Sequence, residues 1–121
     1  GDASGLTPLL FMHTLGMGFV PPPIHAGGLR YHGMAPLVSH LVERDFVQAM
    51  TVSQPDVFEA ARVFLRTEGI LPAPESSHAV AAVIREAAAA RRDGRPGTIL
   101  FNLSGHGFHD MSAYESNGRP R

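Results

Sequence analysis

Thr98-Ile99-Leu100-Phe101-Asn102-Leu103-Ser104-Gly105-His106-Gly107 joins a short, continuously apolar run to a glycine-rich loop. An apolar run without polar alternation is typical of a strand that is buried on both faces of a parallel sheet. We therefore predict a strand over 98–103 with Ser104 at its carboxyl end, where open α/β sheets bind their ligands. Gly105 and Gly107 would let the backbone approach such a ligand closely, although a plain strand-to-loop turn would use the same residues.

The sequence before this run alternates predicted helices with a second predicted strand. Ser53 is a typical helix N-cap, followed by Pro55 and Asp56 in the first turn, and Gly69 is a typical helix end. Between them, one face of the helix is predicted from apolar residues at helical spacing, namely Val57, Ala60, Ala61, Phe64 and Leu65. In chain order, the predicted elements are a helix over 34–44, a strand over 45–52, a helix from Ser53 to Gly69, a helix over 75–92 and the strand over 98–103.

This order predicts the α/β fold class, as part of a three-layer domain with a parallel sheet. The predicted divisions are an irregular segment over 1–33, rich in glycine and proline, with a short helix over Thr7–Leu15; a helix-strand-helix-helix-strand part over 34–115; and a tail over 116–121. Because two strands do not make a stable sheet alone, we expect the missing strands to come from sequence that precedes this chain.

Composition excludes several classes of function. The 121 residues carry a formal net charge of -1, so no basic excess favours nucleic acid or an anionic membrane surface. The absence of cysteine removes disulfides and thiolate chemistry, and is typical of a cytoplasmic protein. No apolar stretch reaches the ~18 residues of a membrane helix. The first residues resemble neither a signal peptide nor a natural start, so we expect the chain to open within a longer protein.

Two sets of polar residues are candidates for a functional site. Glu75 stands at the start of a predicted helix, where the helix dipole favours a carboxylate, although simple capping would use the same residue. Seven histidines suggest a metal, but only His106 and His109 are close in sequence, and a protein zinc site needs three or four converging ligands. No G-x-S-x-G elbow indicates a serine hydrolase.

Four motifs together resemble the tryptophan synthase beta chain, and more narrowly its second, often stand-alone type. The motifs, in order, are GLTPLL over 5–10, VPPPIHAGGLRYHG over 20–33, EGILPAPESSH over 68–78 and NLSGHG over 102–107. The resemblance extends from Gly1 to about Tyr114. It implies a lyase of tryptophan biosynthesis with the fold-type II architecture. Such an enzyme binds pyridoxal phosphate (PLP) between two α/β domains and replaces the hydroxyl of L-serine with indole.

The resemblance also implies roles for particular residues. The serine of the NLSG motif, here Ser104 with Gly105 beside it, binds the pyridine nitrogen of the cofactor, and a neutral hydroxyl there favours β-replacement over transamination. The glutamate of the ESSH motif, here Glu75, lies beside the cofactor ring and assists proton transfer. Backbone carbonyls at Tyr31 and Gly33 help to bind a monovalent cation. Arg30 stands where the commoner type has an aspartate, which favours the second type and leaves coupling to an alpha subunit open.

Two parts that the resemblance requires are missing. The chain has no lysine to form the Schiff base with the cofactor, and no glycine-rich phosphate loop. We therefore expect the C-terminal portion of the enzyme, inactive alone and homodimeric only as part of the full-length protein. Two alternatives remain: another donor or nucleophile, such as O-phosphoserine for serine, or a non-catalytic fragment that binds a partner through exposed sheet edges.

Overall fold

The computed structural model describes residues 3–117, and the regular secondary structure in this range is almost entirely helical. Its elements are a 3-10 turn at Gly27–Leu29, α1 at Pro36–Glu43, α2 at Gln54–Glu68, α3 at Pro74–Arg92, a second 3-10 turn at Gly107–Asp110 and α4 at Met111–Asn117. Within the described range, one isolated antiparallel bridge, between Thr14 and Gly33, is the only β pairing. None of these helices is both long and apolar enough to cross a membrane. The end of the predicted tail, from residue 118 onward, lies outside the described residues.

The contacts divide the chain into two compact units. The N-terminal unit contains the described residues up to Pro22 together with Arg30–Met50, and its helix is α1. The C-terminal unit contains Pro23–Leu29 and the described residues from Thr51 onward, including α2, α3 and α4. The segment over 23–29 therefore packs with helices that lie far from it in sequence.

The first helix of the C-terminal unit, α2, begins and ends where its sequence signals predict. The Ser53 hydroxyl accepts a hydrogen bond of 3.4 Å from the backbone N–H of Asp56, which satisfies one of the free donors of the first turn. At the other end, Gly69 takes the left-handed conformation, with a φ of 71°, and its N–H bonds to the carbonyl of Leu65. Glycine adopts this conformation without the strain that a Cβ would cause.

Helices α2 and α3 pack against each other to form the core of the C-terminal unit. Ala60 of α2 and Val80 and Ala81 of α3 are at most 5% exposed. Four partly buried residues cover this cluster, namely Val52, Phe64, Phe101 and Leu103. The helix over 75–92 is confirmed, beginning one residue earlier at Pro74, and the helix over 34–44 is confirmed with the narrower bounds of α1.

The two predicted strands are not formed. Residues 45–52 and 98–103 have no assigned strand, and the predicted parallel sheet is therefore not confirmed. A strand exists only when its backbone N–H and C=O groups pair with a neighbouring strand. In the described range, the backbone of 98–103 has no such neighbour, although Phe101 and Leu103 pack on the helical core as an inward-facing strand would.

The predicted helix over Thr7–Leu15 is wrong. This segment has no helix, and Leu9 and Phe11 are both 95% exposed. A helix of this length is marginal unless it buries an apolar face against another element. Here the end of the segment pairs with a loop instead: the N–H of Leu15 donates to the carbonyl of His32 at 2.6 Å, beside the Thr14–Gly33 bridge.

Candidate functional site

Glu75 lies in the first turn of α3, which is entered through two buried prolines. Pro72 and Pro74 are among the largest fully buried side chains, so the backbone that enters the helix is fixed by its packing and by the proline rings. Glu75 is half-buried, and it is the acidic residue of the first turn. Its negative charge is favoured there by the unpaired N–H groups of the helix start.

The glycine loop contacts this carboxylate directly. The backbone N–H of Gly28, in the 3-10 turn Gly27–Leu29, donates a hydrogen bond of 2.8 Å to Oε1 of Glu75. A Cβ at Gly28 would lie 3.1 Å from Cγ and 3.2 Å from Oε1 of Glu75. The close backbone approach that the glycines of this loop allow is therefore used to hold Glu75.

The loop that carries Ser104 lies against the same turn of α3. The hydroxyl of Ser76 donates a hydrogen bond of 2.5 Å to the carbonyl oxygen of Ser104. Gly105 has a φ of 70°, and a Cβ there would lie 3.3 Å from the Cβ of Ala73. The N–H of Gly107 donates to the carbonyl of Leu71 at 2.9 Å. Residues 104–107 thus lie against the residues that lead into α3 and form its first turn.

The structure therefore brings together the two segments that the sequence singled out separately. Ser76, which follows Glu75 in the chain, is bonded to Ser104 itself. Ser104 is exposed, and among residues 3–117 its hydroxyl has no hydrogen-bonding partner. A free hydroxyl and a partly exposed carboxylate on adjoining segments are suited to a polar heteroaromatic ligand.

A second set of polar contacts lies at the entry to α3, and the sequence did not reveal it. Tyr114 donates a hydrogen bond of 2.5 Å from its hydroxyl to the carbonyl of Pro72, and its ring packs edge-on against Phe58 at 5.0 Å between centroids. Burial raises the pKa of the Tyr114 hydroxyl above its ordinary value, against a smaller opposing effect of the hydrogen bond with Ser77. Ser77 is fully buried, and its hydroxyl donates to the carbonyl of Ala73 at 2.8 Å.

Tyr31 and Gly33, the cation candidates, lie in the N-terminal unit. Gly33 pairs with Thr14 so closely that a Cβ on Gly33 would lie 2.8 Å from the carbonyl oxygen of His13. The carbonyl of His32 accepts from Leu15 and from the hydroxyl of Thr14. In contrast, the carbonyls of Tyr31 and Gly33 accept no hydrogen bond from the described residues.

The histidines do not form a metal centre in the part of the chain that the structure describes. His106 and His109 lie 5.0 Å apart between ring centroids, but no third ligand of the His, Cys, Asp or Glu type joins them. The Nδ1 of His106 accepts from the N–H of Phe108 at 3.3 Å, and the Nδ1 of His78 is 2.9 Å from the carbonyl of Pro74. Both rings therefore have local partners.

A small cavity lies on one side of α3, within the C-terminal unit. Its volume is about 40 Å³, and it is lined by Ile24, His25, Ala26, Val52, Gln54, Val57, Phe58 and His78. Pockets for organic ligands are typically about 300–1,000 Å³, so this cavity is too small for a cofactor ring. The candidate site is therefore kept on the adjoining segments that carry Glu75 and Ser104, neither of which lines this cavity.

Comparison with known proteins identifies the family to which these motifs point. No protein-family model matches the chain. Tryptophan synthase beta chain 2 of Thermotoga maritima is 56% identical over 114 residues, which is 94% of this chain and 27% of that protein. The proteins of the same name from Aquifex aeolicus and Pyrococcus abyssi are 59% and 58% identical over 115 residues, which is 95% of this chain and 26% of each.

The match covers almost the whole of this chain, and the chain spans about a quarter of the length of the curated relatives it matches. A match of this length includes the motifs over 20–33, 68–78 and 102–107, and the predicted resemblance is confirmed. The chain is homologous to the C-terminal portion of tryptophan synthase beta chains.

Proposed function

We propose that this chain is the C-terminal portion of a PLP-dependent β-replacement enzyme of the tryptophan synthase beta type, which joins L-serine or O-phosphoserine to indole to give L-tryptophan. The observation that carries the proposal is the hydrogen bond from Ser76 to the carbonyl of Ser104, since it joins the turn that bears Glu75 to the loop that bears the free Ser104 hydroxyl. The identity of 54–59% with tryptophan synthase beta chains supports the same assignment.

The residues present fit one edge of a PLP site. The Ser104 hydroxyl would bind the pyridine nitrogen, and Gly105, which lacks a side chain, would leave room for the ring beside it. Glu75 would hold or release a proton as the hydroxyl of the amino acid leaves. When bound, PLP supplies an electron sink for loss and replacement of the β-substituent of an amino acid.

The remaining parts of the site would come from sequence outside this chain. These parts are the lysine, the phosphate loop and the strands that would pair with 98–103 in a fold-type II parallel sheet. Because the 121 residues contain no lysine, the chain alone would be inactive. In the full-length protein, which would be a homodimer, the carbonyls of Tyr31 and Gly33 would contribute to a monovalent cation site.

A chimera tests this proposal. The part of the Thermotoga maritima beta chain 2 that precedes the matched region is joined to this chain, and the chimera is compared with the isolated chain. We expect the chimera to retain PLP through gel filtration and to form L-tryptophan from indole with L-serine or O-phosphoserine. A folded chimera that retains no PLP, or an isolated chain that binds it covalently, would contradict the proposal.

The alternative, a non-catalytic module, is favoured by one observation. Apolar side chains such as Leu9, Phe11 and Leu100 are each 95% exposed, and exposed apolar surface promotes association. This alternative predicts a chain that self-associates at micromolar concentration and a folded chimera that makes no tryptophan. Analytical ultracentrifugation of the isolated chain, together with the chimera assay, separates the two.

A further inference from the structure

We propose that Ser76 is a positioning residue for Ser104. Its side chain is 7% exposed, and its hydroxyl donates the 2.5 Å bond to the carbonyl oxygen of Ser104. Ser76 would not itself contact the cofactor. It would instead fix the backbone from which the Ser104 hydroxyl extends.

The loop needs such a restraint because of its composition. Ser104 and Gly105 are exposed, and Gly105 has both a left-handed φ and the freedom of a residue without a Cβ. Among the described residues, two hydrogen bonds tie this loop to the entry of α3: Ser76 to Ser104, and Gly107 to Leu71. Without the first bond, no hydrogen bond among the described residues would hold Ser104 itself, although Leu103 beside it packs on the helical core.

Ser76 directly follows Glu75 in the first turn of α3. Glu75 is held by the N–H of Gly28 on one side, whereas the next residue holds Ser104 on the other. One helical turn therefore sets the positions of both proposed cofactor contacts. Because a hydrogen bond to a buried hydroxyl is costly to leave unmade, this turn keeps the spacing between the two contacts constant.

Ser77 provides a matched control for an experiment on Ser76. Both are buried serines in the first two turns of α3, and the change to alanine removes the same hydroxyl from each. The Ser77 hydroxyl bonds to the carbonyl of Ala73, the N-cap residue of α3, and lies 3.4 Å from the hydroxyl of Tyr114, so neither of its partners belongs to the Ser104 loop. We therefore compare Ser76→Ala with Ser77→Ala, with circular dichroism as the check that both variants fold.

The first measurement needs no cofactor. In the isolated chain labelled with ¹³C and ¹⁵N, Ser76→Ala should shift the Ser104 carbonyl resonance and speed exchange of the Gly105 amide, whereas Ser77→Ala should leave both as in the parent chain. Equal shifts in the two variants, or no shift in Ser76→Ala, would overturn the proposal. This result does not depend on whether the chain belongs to a PLP enzyme.

The second measurement rests on the proposed function. In the chimera, Ser76→Ala should weaken PLP binding by about threefold to tenfold, the range of one neutral hydrogen bond, and should change the absorbance band of the bound cofactor. Ser77→Ala should leave the band unchanged. If the parent chimera binds no PLP, the proposed function fails. If it binds PLP and the two variants behave alike, the role of Ser76 fails instead.

Discussion

The backbone N–H of Gly28 donates a 2.8 Å hydrogen bond to Oε1 of Glu75, across 47 positions of sequence. The contact is possible because Gly28 has no Cβ, which would lie 3.1 Å from Cγ of that glutamate. A carboxylate that accepts a backbone N–H is held by a charge-assisted bond, stronger than one between neutral groups. Glu75 is thus oriented by the main chain of a distant loop.

Gly28→Ala should displace the Glu75 carboxylate. The new Cβ would lie closer to the glutamate side chain than an ordinary van der Waals distance, so that side chain must move. Small misplacements of catalytic groups are costly, and we expect kcat for tryptophan formation by the chimera to fall about tenfold or more. Gly27→Ala is the control, because a Cβ at Gly27 meets nothing within 4 Å. Equal activity in the two variants would remove the role assigned to this contact.

Gly107→Ala should destabilise the C-terminal unit. A Cβ at Gly107 would lie 2.7 Å from Cγ of Leu71, 2.7 Å from the carbonyl oxygen of Pro72 and 2.9 Å from Cε2 of Tyr114. Since two of these groups belong to the buried entry of α3, they cannot yield easily, and overpacking of this kind costs about 1–3 kcal/mol. The free energy of unfolding in urea measures the loss.

The control for this variant is Gly97→Ala, since nothing lies within 4 Å of a Cβ at Gly97. We expect it to change the free energy of unfolding by less than about 0.5 kcal/mol. If both alanines were tolerated equally, the close contact at Gly107 would not constrain the loop.

Tyr114→Phe should cost stability and alter its pH dependence. Losing the hydroxyl leaves the carbonyl of Pro72 without that donor, at a cost of about 1–3 kcal/mol at neutral pH. Burial raises the pKa of Tyr114 above 10.0 in the native state. The unfolded chain therefore loses this proton first as the pH rises. The stabilisation is fully present below about pH 10 and is lost as the pH rises through the native pKa.

Urea unfolding between pH 8 and pH 11 checks the pH dependence. The parent chain should lose stability above about pH 10, and Tyr114→Phe should flatten that decline. The chain has two tyrosines, and Tyr31, which is 70% exposed, provides the control. A Tyr31→Phe variant that flattened the decline as much as Tyr114→Phe would argue against the assignment.

Ser53→Ala should weaken the start of α2. It removes the hydroxyl that accepts from the N–H of Asp56, and N-cap losses of this kind cost about 1 kcal/mol. Thermal unfolding followed by circular dichroism measures the effect. Ser116→Ala is a control near the other end of the chain, because among the described residues the Ser116 hydroxyl bonds only to the carbonyl of Ala113 and to the side chain of Asn117. Equal losses in the two variants would mean that the cap has no special effect.

Helices α2 and α3 were predictable because their signals are local. The Ser53 cap and the Gly69 end define α2 within a few residues of where they stand, and the apolar spacing identifies the face with Val57, Ala60 and Ala61 that becomes buried. The same spacing also included Leu65, which is 39% exposed. It did not include Phe58, the largest fully buried side chain. Periodicity locates a face, but the neighbours of that face decide which of its residues are covered.

The strands were not predictable in the same way, since a strand depends on a second segment. Residues 98–103 have the composition of a buried strand, and Phe101 and Leu103 do pack inward. Leu100, however, is 95% exposed, and the backbone has no pairing partner in the described range. An apolar run indicates which side chains a strand would bury, but the hydrogen bonds that make it a strand require a second segment.

The sequence by itself determined the bounds of α2 and, to within one residue, those of α3, together with the absence of lysine and the motifs that identify the family, because each of these is a property of neighbouring residues. Only the tertiary structure decided that Gly28 holds Glu75, that Ser76 holds the Ser104 loop and that Tyr114 bonds to the carbonyl of Pro72. These contacts join residues 28 to 47 positions apart, and no periodicity or local signal encodes such a pairing. They arise when the loops around residues 28 and 104 and helix α4 pack against the start of α3, which brings distant groups within hydrogen-bonding distance.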